Sequence, residues 1–169
     1  MDSIHTSSKR SDYESPPDLI ADLKTVFPFD LDACASRPNV CEVFFSPDDN
    51  GLEQVWRGLV FLNPPYGRHC HIDRWVWKAR LAAQWPDCTV VALLPARTGT
   101  RWWHETVPHA SLCVFVKGRL RFHLPGGEPA PHSAGFPSAL VAWGDLGLAQ
   151  VSKLASYGWS VGQYAGPYF

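Results

Sequence analysis

The sequence predicts an α/β fold built on a mainly parallel sheet flanked by helices, and three observations carry that expectation. Short, wholly apolar segments of strand length recur along the chain, as they do where a sheet is buried on both faces. Between them lie segments whose apolar residues repeat at helical spacing. With 169 residues, 46% of them hydrophobic and 18% charged, the chain has the composition of one globular domain with its own core.

Taken in order, residues 1–14 read as a flexible polar arm without the apolar centre of a signal peptide. Residues 15–169 read as a single domain. No apolar run reaches the roughly 18 residues of a membrane span, so a cytoplasmic protein is the default expectation. Ser15-Pro16-Pro17-Asp18 reads as a helix start, with Ser15 as N-cap, Pro16 in the first turn and Asp18 near the positive end. Leu19, Ile20, Leu23, Val26 and Phe27 would be its buried face, and Pro28 its stop. Strands are expected at 29–33, 59–62, 89–94, 111–116 and 139–143. A second helix between the second and third strands buries Ile72, Trp75, Val76, Ala79 and Ala83, leaving Arg74, Lys78 and Arg80 largely off that face. Residues 123–137, dense in proline and glycine, form a long aperiodic loop of the kind that is functional or disordered.

Composition narrows the function classes. The five cysteines are odd in number and never spaced as C-x-x-C, which argues against a disulfide framework and a structural zinc site. His69 and His71 flank Cys70, but alternate residues point apart in extended chain, so a solvated loop is expected there and no metal. The net charge of −1 means that any surface for a polyanion must be local.

The chemistry-bearing segment is Asn63-Pro64-Pro65-Tyr66, directly after the second strand. Ligands of open α/β sheets bind beyond the carboxyl ends of strands. Two prolines stiffen the backbone and remove two amide donors, leaving carbonyl acceptors. The Asn63 side-chain oxygen and the Pro64 carbonyl could accept both N–H groups of a planar amine and return electron density to its nitrogen. Tyr66 could stack on the base. The plain alternative is a rigid Asn-Pro turn. A second segment, residues 29–36, places Asp32 at a strand end before Ala33, Cys34, Ala35 and Ser36. That carboxylate suits an ammonium group, and the small residues leave room for a ligand.

The series Ser15-Pro16-Pro17, Leu31-Asp32-Ala33-Cys34-Ala35, Asp48-Asp49-Asn50-Gly51-Leu52 and Phe61-Leu62-Asn63-Pro64-Pro65-Tyr66-Gly67-Arg68 resembles the phage-type DNA N-6-adenine methyltransferase (Dam) family. The resemblance continues through Leu93-Leu94-Pro95-Ala96-Arg97-Thr98, Thr100-Arg101-Trp102, Lys117-Gly118-Arg119-Leu120 and Phe136-Pro137-Ser138-Ala139, so it spans roughly residues 12 to 144. It implies a Rossmann-like fold that uses S-adenosyl-L-methionine to methylate adenine N6 in double-stranded DNA after base flipping. It also implies a cofactor pocket from Ser15, Pro16, Asp32, Ala33, Cys34, Asp49 and Asn63, with Asn63, Pro64, Pro65 and Tyr66 as the catalytic loop. One departure is Asn50, where the family pattern has Asp before Gly-Leu; Asp49 beside it is the substitute. Glu42 is a candidate for the cofactor ribose.

Spacing adds a fold expectation. About thirty residues separate Asp32 from Asn63, whereas a full methyltransferase core places two further βα units there, each βαβ unit needing about 30 residues. A shortened fold is expected, with mostly loop and at most one short strand in the gap. Lys117, Arg119 and Arg121 alternate after the fourth strand and would face one way, with Arg97 and Arg101 beyond the third strand and Arg68 after the tetrapeptide. These six are the candidate phosphate contacts, an ordinary solvated edge being the alternative. With little chain beyond the core, short or relaxed sequence specificity is expected. Rival readings are cytosine N4, RNA adenine or protein glutamine as acceptor, or a silent DNA-binding module of the same fold. Trp102 and Trp103 are more simply core than base-stacking.

Overall fold

The computed structural model describes residues 13–67 and 69–163. Its strands are β1 (Leu31–Asp32), β2 (Gly58–Leu62), β3 (Cys88–Pro95), β4 (Leu112–Val116), β5 (Ser138–Trp143) and β6 (Gly158–Gly162). The helices are α1 (Pro17–Leu23), α2 (Ile72–Ala82), α3 (Arg101–Thr106) and α4 (Leu148–Ala155), with a 3-10 turn at Val107–His109. The sheet order is β1-β2-β3-β5-β4-β6.

The sheet is mixed, which corrects the expectation of a mainly parallel one. β1, β2 and β3 run parallel, but β5 is antiparallel to both β3 and β4, and β6 is antiparallel to β4. The physical reason lies in the connections. A helix crossover lets β2 and β3 run the same way, whereas β4 reaches β5 through residues 117–137 without any named helix, and the chain simply returns beside itself. The edge strand β6 and helix α4 escape sequence reading, because Gly-Trp-Ser-Val-Gly offers no apolar run and α4 buries only Val151 and Leu154.

Five strands lie where expected, shifted by a residue or two. β1 is short as a regular strand, yet its ladder continues on both sides: Asp30 N–H donates to the Leu59 carbonyl and Ala33 N–H to that of Phe61. The gap between β1 and β2 holds only turns and one isolated parallel bridge, Asp32 to Phe44. The core runs through the central strands, where Val60, Phe61, Leu62, Val90 to Leu94 and Ala139 to Ala142 are fully buried. α2 buries Ile72, Trp75, Val76 and Ala79, the expected face, and α3 buries Trp102 and Trp103. α1 and α4 are joined by the Lys153–Asp22 ion pair at 2.7 Å and by the Tyr157 hydroxyl on the same carboxylate.

Two terminal expectations change. Residues 1–12 of the expected arm lie outside the described residues, but Glu14 is folded: it is buried and pairs in an antiparallel bridge with His123. Ser15 is not the N-cap of α1. That place belongs to Pro16, which has no side chain to cap with, and the Ser15 hydroxyl is engaged elsewhere. The loop at 123–137 is ordered by its own hydrogen bonds: Gly127 N–H donates to the Leu124 carbonyl, Leu124 N–H to Glu128, and Ala130 N–H to Phe122.

Candidate active site

β1 and β2 are adjacent and parallel, so their carboxyl ends open at the same rim of the sheet, with Asp32 opposite Phe61 in register. A cavity of about 330 Å³ lies there, within the range of small-molecule sites. Its wall includes Ser15, Asp32, Cys34 and Asn63 from the expected set, together with Pro65. The wall also takes in Tyr13, Glu14, Arg37, Asn39, Phe45 and Trp75, which sequence reading did not assign to a site. Trp75 was legible only as helix core, and the others come from segments without periodicity.

The cavity has a built wall on its Ser46–Trp56 side. Gly51 packs so tightly on the Ala33 carbonyl that any Cβ would collide with it, and this holds the turn against the end of β1. The Trp56 indole N–H donates to the Gly51 carbonyl at 2.9 Å, and the Trp56 ring stacks on Trp75. Lys78 Nζ caps this stack from 5.2 Å while donating to the carbonyls of Leu52 and Gln54. Asp49 is turned away into its own loop, where its carboxylate accepts from the Ser46 N–H and hydroxyl at 2.8 and 2.6 Å. Its neighbour Asn50 reaches the cavity instead. Glu42 is exposed and off the cavity wall, as are Pro16, Ala33 and Pro64, though those three are buried.

Asp32 is 2% exposed, and its carboxylate accepts one backbone hydrogen bond, from the Cys34 N–H at 3.2 Å. Among the described residues no salt bridge neutralises it. Burial in this uncompensated state pushes its pKa up to about 7, with the Cys34 N–H opposing the shift. Burial, with the nearby Asp32 charge, pushes the Cys34 thiol up to about 12, so it stays a neutral wall group.

Asn63 is bound on both sides of its amide. Its Nδ2 donates to the Tyr13 carbonyl at 3.2 Å and to the Ser15 hydroxyl at 3.0 Å. Its Oδ1 lies 2.5 Å from the Tyr66 hydroxyl, which also reaches the Leu93 carbonyl at 2.7 Å. Burial raises the Tyr66 pKa well above its ordinary value, so the phenol remains a donor. An amide oxygen has two lone pairs, so Oδ1 keeps acceptor capacity beyond Tyr66. Among the described residues no N–H or O–H donates to the Pro64 carbonyl. Tyr66 itself is 3% exposed and packs perpendicular to Phe122 and Phe136 at 5.9 and 5.6 Å, so its ring is closed to a stacking partner in this conformation.

The six candidate phosphate contacts divide. Arg68 lies outside the described residues. Arg97 is exposed and makes one long contact, 3.5 Å from its Nη2 to the Tyr66 carbonyl. Arg101 is paired with Glu105 one turn along α3, at 2.6 Å. Lys117, Arg119 and Arg121 are exposed, but they do not form one strand face. β4 ends at Val116 and Gly118 turns the chain at φ 82°, so the alternation argument does not reach Lys117. Arg121 donates to the Ala130 carbonyl at 2.7 Å. Among the described residues there is no cluster of three or more metal-ligating side chains, and no helix is long and apolar enough to cross a membrane.

This arrangement can be set beside known proteins. A DNA N-6-adenine-methyltransferase of Escherichia phage T1 is 34% identical over 122 residues, covering 70% of this chain and 50% of the phage protein. The chain thus spans about half the length of that curated relative. The family model for DNA N-6-adenine-methyltransferase (Dam) matches residues 2–147, and the chain belongs to that family.

Proposed function

We propose that this chain transfers a methyl group from S-adenosyl-L-methionine to the N6 amine of adenine in DNA, in the cytoplasm. The observation that carries the reading is the Asn63 amide at the rim of the cavity, with its N–H groups bound to Tyr13 and Ser15 and its oxygen, which accepts from Tyr66, keeping a second lone pair. The cavity fits the cofactor chemically: the buried, unneutralised Asp32 suits its ammonium, and Phe45 and Trp75 offer apolar surface. When bound, the cofactor supplies an electrophilic methyl group on a sulfonium centre. Asn63 Oδ1 and the Pro64 carbonyl accept the two amine N–H groups and draw electron density to N6, and the rigid prolines hold both acceptors in place. Tyr66 takes the flipped base on its ring once Phe122 or Phe136 moves aside. Arg97, Lys117, Arg119 and Arg121 are the proposed phosphate contacts, all exposed. In this reading residues from Ser15 to the end of β6 work as one shortened methyltransferase domain, supported by the mostly looped gap between β1 and β2.

The test is transfer of labelled methyl from the cofactor to duplex DNA, followed by nucleoside analysis. Label in N6-methyladenine is expected. Label in N4-methylcytosine, RNA or protein, or no transfer despite cofactor binding, overturns the reading. Asn63→Ala should abolish transfer while cofactor affinity, measured by calorimetry, stays within about threefold, under 1 kcal/mol.

A further inference from the structure

We infer that a strap formed by residues 13–15 sets which way the Asn63 amide faces, the Tyr13 carbonyl choosing the orientation and Ser15 acting as the positioning residue that holds the amide in it. This rests on the methyl-transfer reading above. An asparagine amide is nearly symmetric in shape, so its orientation is decided by its partners. On one side stand the Tyr66 hydroxyl and, behind it, the Leu93 carbonyl. A hydroxyl serves either orientation: it can donate to Oδ1, or it can donate to Leu93 and accept from Nδ2. The Ser15 hydroxyl is equally indifferent. The Tyr13 carbonyl is not, because it only accepts and therefore admits only Nδ2. The strap thus commits Nδ2 to itself and Oδ1 to the opposite side, where it accepts from the Tyr66 hydroxyl and keeps a second lone pair for an amine N–H.

The strap is held as if its position mattered. The Glu14 N–H donates to the His123 carbonyl at 2.9 Å and the His123 N–H returns to the Glu14 carbonyl at 3.0 Å. The Glu14 carboxylate accepts from Nε and Nη2 of Arg37, at 2.7 and 2.6 Å, and from the Gly126 N–H at 3.2 Å. These bonds fix the backbone on either side of Glu14 and so place the Tyr13 carbonyl and the Ser15 hydroxyl together at Asn63. Ser15 stands just before a helix that it could have helped to cap. Its oxygen instead accepts from Asn63 while 3% exposed.

The experiment compares wild type, Ser15→Ala, Ser15→Cys and Ser15→Thr in the full chain. Ser15→Ala should lower kcat about tenfold, the worth of one net hydrogen bond, with cofactor affinity within about twofold. Ser15→Thr, which keeps the hydroxyl, should recover most of kcat; Ser15→Cys, a weak acceptor of similar size, should not. If the extra methyl of Thr prevents folding, NMR decides. The Asn63 side-chain NH₂ pair, assigned by its loss in Asn63→Asp, should shift and exchange faster with water in Ser15→Ala. An unchanged kcat and NH₂ signal in Ser15→Ala overturns the inference. So does a loss confined to cofactor affinity, which would make Ser15 a cofactor ligand. Failure of wild type to methylate adenine overturns the methyl-transfer reading instead, and the NH₂ signal still reports on the strap.

Discussion

Two carboxylates face the same cavity from opposite kinds of scaffold. Asp32 sits at the end of a sheet strand and Glu14 on the strap, and both are buried, at 2% and 8% exposure. Glu14 is matched: Arg37 grips it with two nitrogens, which holds its carboxyl below the ordinary range. Asp32 is unmatched, and burial drives its pKa the other way, to about 7. A fold keeps an unpaired buried carboxylate only at a cost, and such costs gather where a ligand completes the site. The matched carboxylate builds the cavity, and the unmatched one is what a cation would seek.

The largest effects should come from Asp32. Asp32→Asn keeps the oxygen for the Cys34 N–H but removes the charge. Affinity for S-adenosyl-L-methionine, measured by calorimetry at pH 8, should fall on the order of 100-fold, as for loss of one partner of a buried charge pair. The same variant should be more stable than wild type without ligand. The raised folded-state pKa means that Asp32 favours the fold below about pH 3.8, and that this contribution is lost as pH rises to about 7. Above pH 7 the penalty is on the order of 4 kcal/mol, and Asp32→Asn should recover a large part of it in urea unfolding. A destabilised Asp32→Asn would break the comparison. Within wild type, cofactor affinity should decline as pH falls below about 7, where Asp32 takes up a proton. A flat affinity between pH 6 and 8 would mean that Asp32 already has a cationic partner.

Glu14→Gln should act with the opposite sign on stability. It breaks a charge-assisted pair whose arginine is 47% exposed, so solvent screening reduces the loss to about 1–2 kcal/mol. Because the Glu14 pKa is lowered, its contribution is present above the unfolded value near 4.5 and is lost as pH falls through the folded one. Stability measured at pH 8 should therefore separate the two carboxylates by sign, and both differences should fall away at pH 4: the Glu14→Gln deficit shrinks, and so does the Asp32→Asn gain.

The same contrast explains what could be read from the chain alone. Asp32 and Asn63 announce themselves because each ends an apolar strand, and a strand end in an α/β sheet is a place where ligands collect. Glu14 and Arg37 carry no such mark: they lie in aperiodic segments 23 residues apart, and only the fold joins them. Ser15 was legible as a helix cap, a reading that local spacing favours and the tertiary hydrogen bond to Asn63 overrides. Strand direction failed for a related reason. Apolar runs locate β4, β5 and the sheet core, but the sense of a pairing is set by the connection, and β5 returns antiparallel between β3 and β4.

The smallest predicted effects extend the contrast to the cations. Arg101 is paired with Glu105 on the surface, 89% exposed, and such a pair is worth about 0.5 kcal/mol or less. Arg97 has only its long contact to the Tyr66 carbonyl. Neither Arg101→Ala nor Arg97→Ala should change stability by more than about 0.5 kcal/mol. In DNA binding the two should part. Each phosphate neutralised adds about 0.9 to the slope of log affinity against log salt, and a guanidinium that keeps a carboxylate releases fewer counterions. Arg97→Ala should therefore lower the slope by close to that amount, and Arg101→Ala by clearly less. Equal slopes for the two variants would show that Arg101 leaves Glu105 for phosphate, and that matching at an exposed surface pair does not withdraw a charge from function as it does for Glu14.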